Sequence, residues 1–344
     1  MRAVAQDILP NNDRFKEHID LCLSCRSCES ACPNSVNYGA LVDTARALYI
    51  QKKNIGMTIA KPFIRHRYLT HILTWSLWLT QQLKLSALLQ HLLPATKLLP
   101  NIGKPIAWKS LYPATTQHKG AVSLFLGCAS NALDQQTLIA SIYVLNKLGF
   151  DVHVPGSQTC CGSIARQAGD RIEASKLVAR NASSFEQDTP LLTTASGCGA
   201  GLKDYLPQHQ VQDISTFLMS CDWSDIQIAG LKEKIYVQDP CSLRNVLQSQ
   251  QAVYDLLKKI PDANIEALPG NSQCCGGAGA YIITQKFMAN MLRNDKLNTI
   301  KMHHVAILAT SNIGCSLHIA EGLREEGLKV NVMHPIQIIA KQMR

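Results

Sequence analysis

Four cysteines within eleven residues constrain this chain more than any other feature. Cys22, Cys25, Cys28 and Cys32, followed by Pro33, spell C-x2-C-x2-C-x3-C-P in the segment CLSCRSCESACP. The first three lie close enough in sequence to hold three corners of a cubane, and the run is a known iron–sulfur ligation pattern. Pro33 has no N–H to satisfy and redirects the chain after the fourth cysteine. A zinc knuckle is the competing reading, but zinc sites usually split their ligands into two pairs across a longer loop.

The chain has 13 cysteines in 344 residues, too many for ordinary packing. Disulfide density belongs to small secreted domains. This chain is long, its start (MRAVAQDILPNNDRF) has no apolar run to serve as a signal peptide, and its cysteines sit in tight local groups, as metal ligands do. With 46% hydrophobic and 17% charged residues it reads as globular, with room for two or three domains. The net charge of +9 comes with scattered basic residues, no Lys/Arg block and no nucleic-acid motif, so no nucleic-acid partner is expected. A 4Fe–4S core held by four thiolates is a dianion, and three of them would bring +9 to roughly +3.

Residues 119–344 contain a duplication. The first copy reads LFLGC, VPGSQTCCGS and TTASGCGA; the second reads YVQDPC, LPGNSQCCGG and ATSNIGCSLH. Cys128 matches Cys241, Cys161 matches Cys275 and Cys198 matches Cys315, at offsets of 113, 114 and 117. Each copy alternates strand and helix patterns, which predicts an α/β fold with parallel sheets covered by helices. Strands are predicted at 122–126, 152–154 and 191–195, then at 235–238, 264–268, 305–310 and 330–333. Helices are predicted at 135–148, 166–185, 246–260 and 282–299. Every repeat cysteine follows a predicted strand, and ligands in open α/β sheets collect outside the carboxyl ends of strands. The fold is therefore expected to gather Cys128, Cys160, Cys161 and Cys198 at one sheet edge, and Cys241, Cys274, Cys275 and Cys315 at another. On ligand count alone each set could bind a cluster, tetrahedral zinc or nothing. Gly162 and Gly276, after the paired cysteines, suit a close backbone approach and unusual dihedrals.

Weaker signals complete the reading. Gly276–Gly279 lacks the third glycine and later acid of a dinucleotide turn. The segment 68–83 is apolar and aromatic but carries Thr, His, Ser and Gln, which favours a packed helix over a membrane span and leaves a peripheral membrane contact open. Cys221 matches nothing in the duplication and reads as a buried small hydrophobe. His303 and His304 read as a helix C-terminal cap. His318 forms Cys315-x-x-His318 and is a candidate metal ligand or hydrogen-bond partner, with Gly201 at the matching place in the first copy.

Together CLSCRSCESACP, TASGCGA, QCCGGAGAYIIT and SNIGCSLH resemble the iron–sulfur subunit of glycolate oxidase, within the wider cysteine-rich CCG-domain group that includes the heterodisulfide reductase B subunit. The resemblance covers almost the whole chain. It implies electron transfer from a separate FAD-containing subunit, which oxidises glycolate or D-lactate, toward the quinone pool. No flavin motif stands in this sequence, so no catalytic residue is assigned and the substrate chemistry is expected on another chain. The resemblance further implies two ferredoxin-type motifs where this chain has one, so the chain is expected to begin just before the second. In two-cluster ferredoxins the cysteine before proline ligates the other cluster, so the cluster of Cys22, Cys25 and Cys28 is expected to want a fourth ligand and to lose iron first, with Cys32, Cys221 or a partner residue as candidates. Gly201 and His318 stand where heterodisulfide reductases of that group carry a fifth cysteine, which argues against a non-cubane cluster of that kind.

The expected organisation is a ferredoxin-type, mostly helical segment at 1–50, a helical linker at 51–118, and two CCG domains at 119–230 and 231–344. The expected cofactors are 4Fe–4S clusters, with zinc the alternative at a CCG site. The expected location is cytoplasmic, with a peripheral place on the inner face of the cytoplasmic membrane open to it. Two other functions stay in view: disulfide reduction at a CCG cluster, and a zinc-stabilised interaction module.

Overall fold

The computed structural model describes residues 1–48, 55–85 and 100–344, so the stretches of the predicted helical linker at 51–54 and 86–99 lie outside it. Four short helices carry the N-terminal segment: α1 (Arg2–Ala5), α2 (Asp13–Asp20), α3 (Ser27–Ser30) and α4 (Tyr38–Leu48). Asn12 starts α2 by accepting the Phe15 N–H, which satisfies one of the free donors of the first turn. Two longer helices follow, α5 (Ile55–Arg65) and α6 (Arg67–Gln82).

The first sheet contains β1 (Leu111–Tyr112), β2 (Gly120–Phe125), β3 (Phe150–His153), β4 (Leu191–Thr193) and β5 (Val211–Asp213), in the order β1-β3-β2-β4-β5. Its helices are α7 (Cys128–Leu133), α8 (Gln135–Lys147), α9 (Ser163–Gln167), α10 (Arg171–Ser184), α11 (Ser196–Tyr205) and α12 (Ile214–Met219). The second sheet contains β6 (Ile235–Gln238), β7 (Ile265–Ala267), β8 (Ile307–Thr310) and β9 (Asn331–Met333), in the order β7-β6-β8-β9. A π-helical turn (Leu243–Leu247) precedes α13 (Gln250–Leu257), α14 (Tyr281–Thr284), α15 (Lys286–Met302), α16 (Ile313–Glu325) and α17 (Pro335–Gln342). All pairings are parallel except β1 with β3. The predicted α/β architecture of two parallel-sheet copies is thus observed, with the same order of the four parallel strands in each.

The copies are not separate bodies. One apolar core runs from Val122, Leu124 and Leu192 of the first sheet to Ile235 and Val237 of the second. The last helix of each copy packs on the first long helix of the other: α12 on α13, and α17 on α8. These two crossing helices start on matching caps of opposite chemistry. Buried Asp213 accepts from the Ser215 N–H at 2.9 Å, and buried His334 accepts from the Ile336 N–H at 3.1 Å.

The differences from the predicted elements have local causes. The stretch 166–185 is two helices, because Gly169 at φ +76° breaks it. The stretch 246–260 is a π-turn and a helix, parted by Gln248 at φ +55°. The helix predicted from 282 divides at Gln285 into α14 and α15. Strands β1 and β5 carry two and three residues, too few to show an alternating pattern. Among the described residues no helix is long and apolar enough to cross a membrane.

Candidate functional site

The eight repeat cysteines fall where the strand ends converge. In the first copy, Cys128 opens α7 after β2, Cys160 and Cys161 follow β3, and Cys198 lies in the first turn of α11 after β4. A side-chain amide clamps each strand end. Gln158 accepts the Leu126 N–H at 2.8 Å and donates to Leu124 O at 3.3 Å, and in the second copy Asn271 accepts from Asp239 N at 3.2 Å and donates to Val237 O at 2.8 Å. The clamps substitute for strand pairing beside the thiols. Sequence reasoning missed both, although each stands inside a quoted motif.

In site 1 the thiols form a row. Cys128 and Cys160 stand 3.5 Å apart, Cys160 neighbours Cys161, and Cys161 neighbours Cys198. Site 2 repeats the row as Cys241, Cys274, Cys275 and Cys315. One thiol in each row is held below its ordinary pKa because two neighbours donate to it: Cys161 by Cys160 and Cys198, and Cys274 by Cys241 and Cys275. The donors Cys160, Cys198, Cys241 and Cys275 are pushed up, first by that shared hydrogen bonding and then by burial. Among the described residues no three His, Cys, Asp or Glu side chains are grouped to hold a single metal ion. Both CCG glycines take the left-handed conformation, Gly162 at φ +88° and Gly276 at φ +83°. A Cβ on Gly276 would lie 2.5 Å from Ala289 O, so this position excludes any larger residue.

Charge tests whether an anionic cluster suits these rows. Arg166 is 7% exposed and lies beside Cys161 and Cys160, stacked on the Tyr205 ring at 3.0 Å. None of its guanidinium nitrogens finds a hydrogen-bond acceptor among the described residues. A buried cation without acceptors is costly, and burial pulls its pKa down. Asp43 and Asp204 lie near it without accepting from it, and a cluster dianion on the thiol row would add negative charge beside the unpaired guanidinium, so the residues fit the group. In site 2 buried Lys296 takes this place, near Cys275, Cys274 and Cys315, with its Nζ donating to Gly270 O at 2.5 Å. Arg166 lies on α9, which opens at Ser163 inside the CCGS motif, whereas Lys296 reaches its site from α15, outside the cysteine motifs.

His318, the candidate ligand, is fully buried. Its Nε2 lies 3.1 Å from Ala289 O and its Nδ1 3.8 Å from the Glu321 carboxylate. It thereby fixes the carbonyl that abuts Gly276. At the matching place in the first copy, a Cβ on Gly201 would meet Ser163 Oγ at 2.4 Å, so Ser163 fills that space.

The N-terminal motif gathers Cys22, Cys25 and Cys28. Ser24 and Arg26, at φ +52° and +58°, bend the backbone between them, and Arg46 holds the bend through Cys22 O at 2.7 Å and Ser24 Oγ at 2.9 Å. Burial pushes the Cys25 thiol up, and its neighbouring thiols are Cys274, Cys22 and Cys28. The N-terminal site therefore adjoins site 2. Asn245 seats it by donating to Cys25 O at 2.8 Å, and the Tyr281 hydroxyl donates to Leu21 O at 3.2 Å. The structure does not bring Cys32 into this group: the Val36 and Asn34 N–H groups of the next turn donate to its sulfur and hold it below its ordinary pKa. Cys221 lies elsewhere, donating to Phe217 O at 3.4 Å beside the main core, and burial raises it to about 11. Of the fourth-ligand candidates within this chain, the structure brings up neither; the thiol it does bring to Cys25 is Cys274, from site 2.

One residue ties the two CCG sites together. Asn312 Oδ1 accepts from Gly197 N, next to Cys198, at 3.2 Å, and its Nδ2 donates to Cys315 Sγ at 3.4 Å. Backbone joins them too, Ser196 N donating to Ser311 O at 2.9 Å. The N-terminal site and site 1 thus each adjoin site 2.

Paired parallel sheets with cysteine rows at their strand ends define a cysteine-rich iron–sulfur protein. The cysteine-rich domain CCG matches residues 122–203 and 235–320, the two duplicated copies of this chain. The chain is a homologue of the glycolate oxidase iron–sulfur subunits. It is 28% identical to the probable glycolate oxidase iron-sulfur subunit of Bacillus subtilis, over 97% of this chain and 84% of that protein. The glycolate oxidase iron-sulfur subunit of Escherichia coli is 26% identical over 98% of this chain and 86% of its own length. A fumarate reductase (CoM/CoB) subunit of Methanothermobacter marburgensis is 26% identical over 94% of this chain and 61% of that protein.

Proposed function

We propose that this chain carries electrons from a flavin-bearing 2-hydroxy-acid oxidase subunit toward quinone, with 4Fe–4S clusters in its thiol sites. The observation that carries the reading is the continuous order of those sites: Cys25 beside Cys274, and Asn312 between Cys315 and the Cys198 loop. Such an order suits a relay, in which each group need only exchange electrons with its neighbour. In this reading Cys22, Cys25 and Cys28 hold the N-terminal cluster, and the rows 128/160/161/198 and 241/274/275/315 hold the other two. Each thiolate of a cluster binds its own iron, so an open row suits a cluster better than one tetrahedral zinc. The names of the relatives support the oxidase assignment. The reading divides the chain into the N-terminal segment, the helical linker and two CCG domains.

The test is deletion of the gene together with purification of the intact complex. An FAD-containing chain is expected to co-purify, and glycolate- or D-lactate-dependent quinone reduction is expected to be lost on deletion. Retention of both activities would overturn the proposal, and about two zinc ions per chain without iron would replace the clusters.

A further inference from the structure

Helix α6 is built inside out. A surface helix ordinarily turns its apolar stripe to the core and its polar face to water. Here the fully buried positions are Thr70 and Thr74, 7% and 2% exposed, their hydroxyls satisfied by Phe63 O and Thr70 O, while Leu69, Leu77 and Trp78 are half-buried. The outward positions Tyr68, Ile72, Trp75 and Leu79 form one continuous stripe, extended by Leu83, with Tyr68 70% and Leu79 50% exposed. The Trp75 indole N–H is already committed to His71 Nε2 at 3.0 Å, which leaves the rest of the ring to face outward.

Charge indicates what covers the stripe. Eleven of the 34 Lys and Arg residues lie between 44 and 133, and none of the 25 Asp and Glu does. The whole positive excess of the chain therefore belongs to the segment that contains α6. Lys61 and Arg65 of α5 are paired with Asp170 and Glu173 of the first copy, but Lys84 and Lys104 stand exposed near the carboxyl end of the stripe, where Gln81 receives the Ile102 N–H. An apolar helical face with Trp and Tyr, set in an acid-free basic segment, matches the interface of an anionic bilayer in both chemistry and charge.

We propose that the outward face of α6 docks this protein on an anionic lipid surface. The helix lies in the interface plane with Trp75 and Ile72 in the headgroup–acyl boundary, and the lysines contact lipid phosphates. The opposite side of α5 and α6 covers site 1: Ile64 O accepts the Cys160 N–H at 3.1 Å, and Phe63, Arg67 and Thr70 face Cys128 and Cys160 across a gap of about 10 Å³. Docking this way places site 1 at the lipid side. The inference stands apart from the electron-transfer reading, since lipid binding needs no redox partner.

The test is co-sedimentation of the full chain with vesicles of phosphatidylglycerol and phosphatidylcholine, against phosphatidylcholine alone. Binding is expected only with the anionic lipid, falling at high salt and accompanied by a blue shift of tryptophan emission. The fourfold variant Y68Q/I72Q/W75Q/L79Q, which keeps helix formers at exposed sites, is expected to bind at least about tenfold more weakly. Lys84→Glu and Lys104→Glu, two exposed changes that serve if the fourfold variant does not fold, are expected to weaken binding about fivefold or more each. Absence of binding to either vesicle overturns the proposal, as does binding that survives both sets of changes. A wild-type dimer that the fourfold variant turns into a monomer also overturns it, by assigning the stripe to a second copy.

Discussion

Sites 1 and 2 hold the same row of thiols in different electrostatic surroundings. In both, a strand-end amide, a left-handed glycine and three strand ends place four sulfurs. Arg166 faces the first row with no hydrogen-bond acceptor among the described residues, whereas Lys296 beside the second is anchored on Gly270 O. Ser163 and Gly201 back the first row, and Gly277 and His318 the second. Backbone geometry holds the ligands alike in the two copies, while the charge beside each row comes from a different helix, Arg166 from α9 and Lys296 from α15. One ligand set thus stands beside two different cations.

The sharpest way to break this comparison is to remove one thiol at a time. Cys161→Ser is expected to empty site 1 of iron while site 2 keeps its share, and Cys275→Ser the reverse, measured as iron per chain with the spectrum of the remaining cluster. Loss of all iron from either variant would mean that the shared core, rather than each row, governs assembly.

The glycines should separate the copies by stability. Gly276→Ala meets Ala289 O at 2.5 Å in addition to its φ of +83°, while Gly162→Ala meets nothing closer than 3.4 Å. Gly162→Ala is expected to cost about 1–2 kcal/mol, and Gly276→Ala more than about 3 kcal/mol. Thermal unfolding of the two variants gives the order, and equal losses would contradict it.

The crossing helices offer a pH version of the same contrast. Burial raises Asp213 to about 6 and lowers His334 to about 3. Folded Asp213 binds its proton more readily than the unfolded chain does, so its contribution improves as pH falls from about 6 toward 4. Folded His334 refuses the proton that unfolded histidine accepts below its ordinary 6.5, so its contribution worsens as pH falls from there toward 3. His334→Asn, which keeps a capping side chain, is expected to recover on the order of 2 kcal/mol at pH 4.5 relative to pH 7.5. Asp213→Asn is expected to gain stability at pH 7.5 and lose that advantage near pH 4. Melting curves across this range check both signs.

The smallest effect concerns charge at site 1. Under the proposed function, Arg166→Gln withdraws a cation from the site 1 cluster and so disfavours its reduction. The site 1 potential is expected to fall by about 60 mV, a tenfold change in a one-electron equilibrium, while site 2 is unmoved and Arg166→Lys restores part of the loss. Redox titration followed by electron paramagnetic resonance measures it, and an equal shift at both sites would erase the distinction drawn between them.

The duplication, the parallel sheets and the gathering of cysteines at strand ends were legible because strand patterns, paired cysteines and the offsets near 114 are local or periodic signals. The φ of +88° and +83° at Gly162 and Gly276 follows the same logic, since glycine after two bulky ligands has few other uses. Other features depended on approach through space. The motif set Cys32 apart from the cluster of its three neighbours and left the fourth ligand open; N–H groups of the turn at Asn34–Val36 donate to the Cys32 sulfur, and folding brings Cys274 to Cys25 from far along the chain. His318 stands three residues from Cys315, yet its Nε2 lies against Ala289 on another helix. Lys296 at site 2, and the link of Asn312 to Gly197, arose only when separate segments met. A motif records which ligands lie near one another along the backbone; burial, orientation and the charges facing those ligands are set by contacts between distant segments, which only the tertiary structure decides.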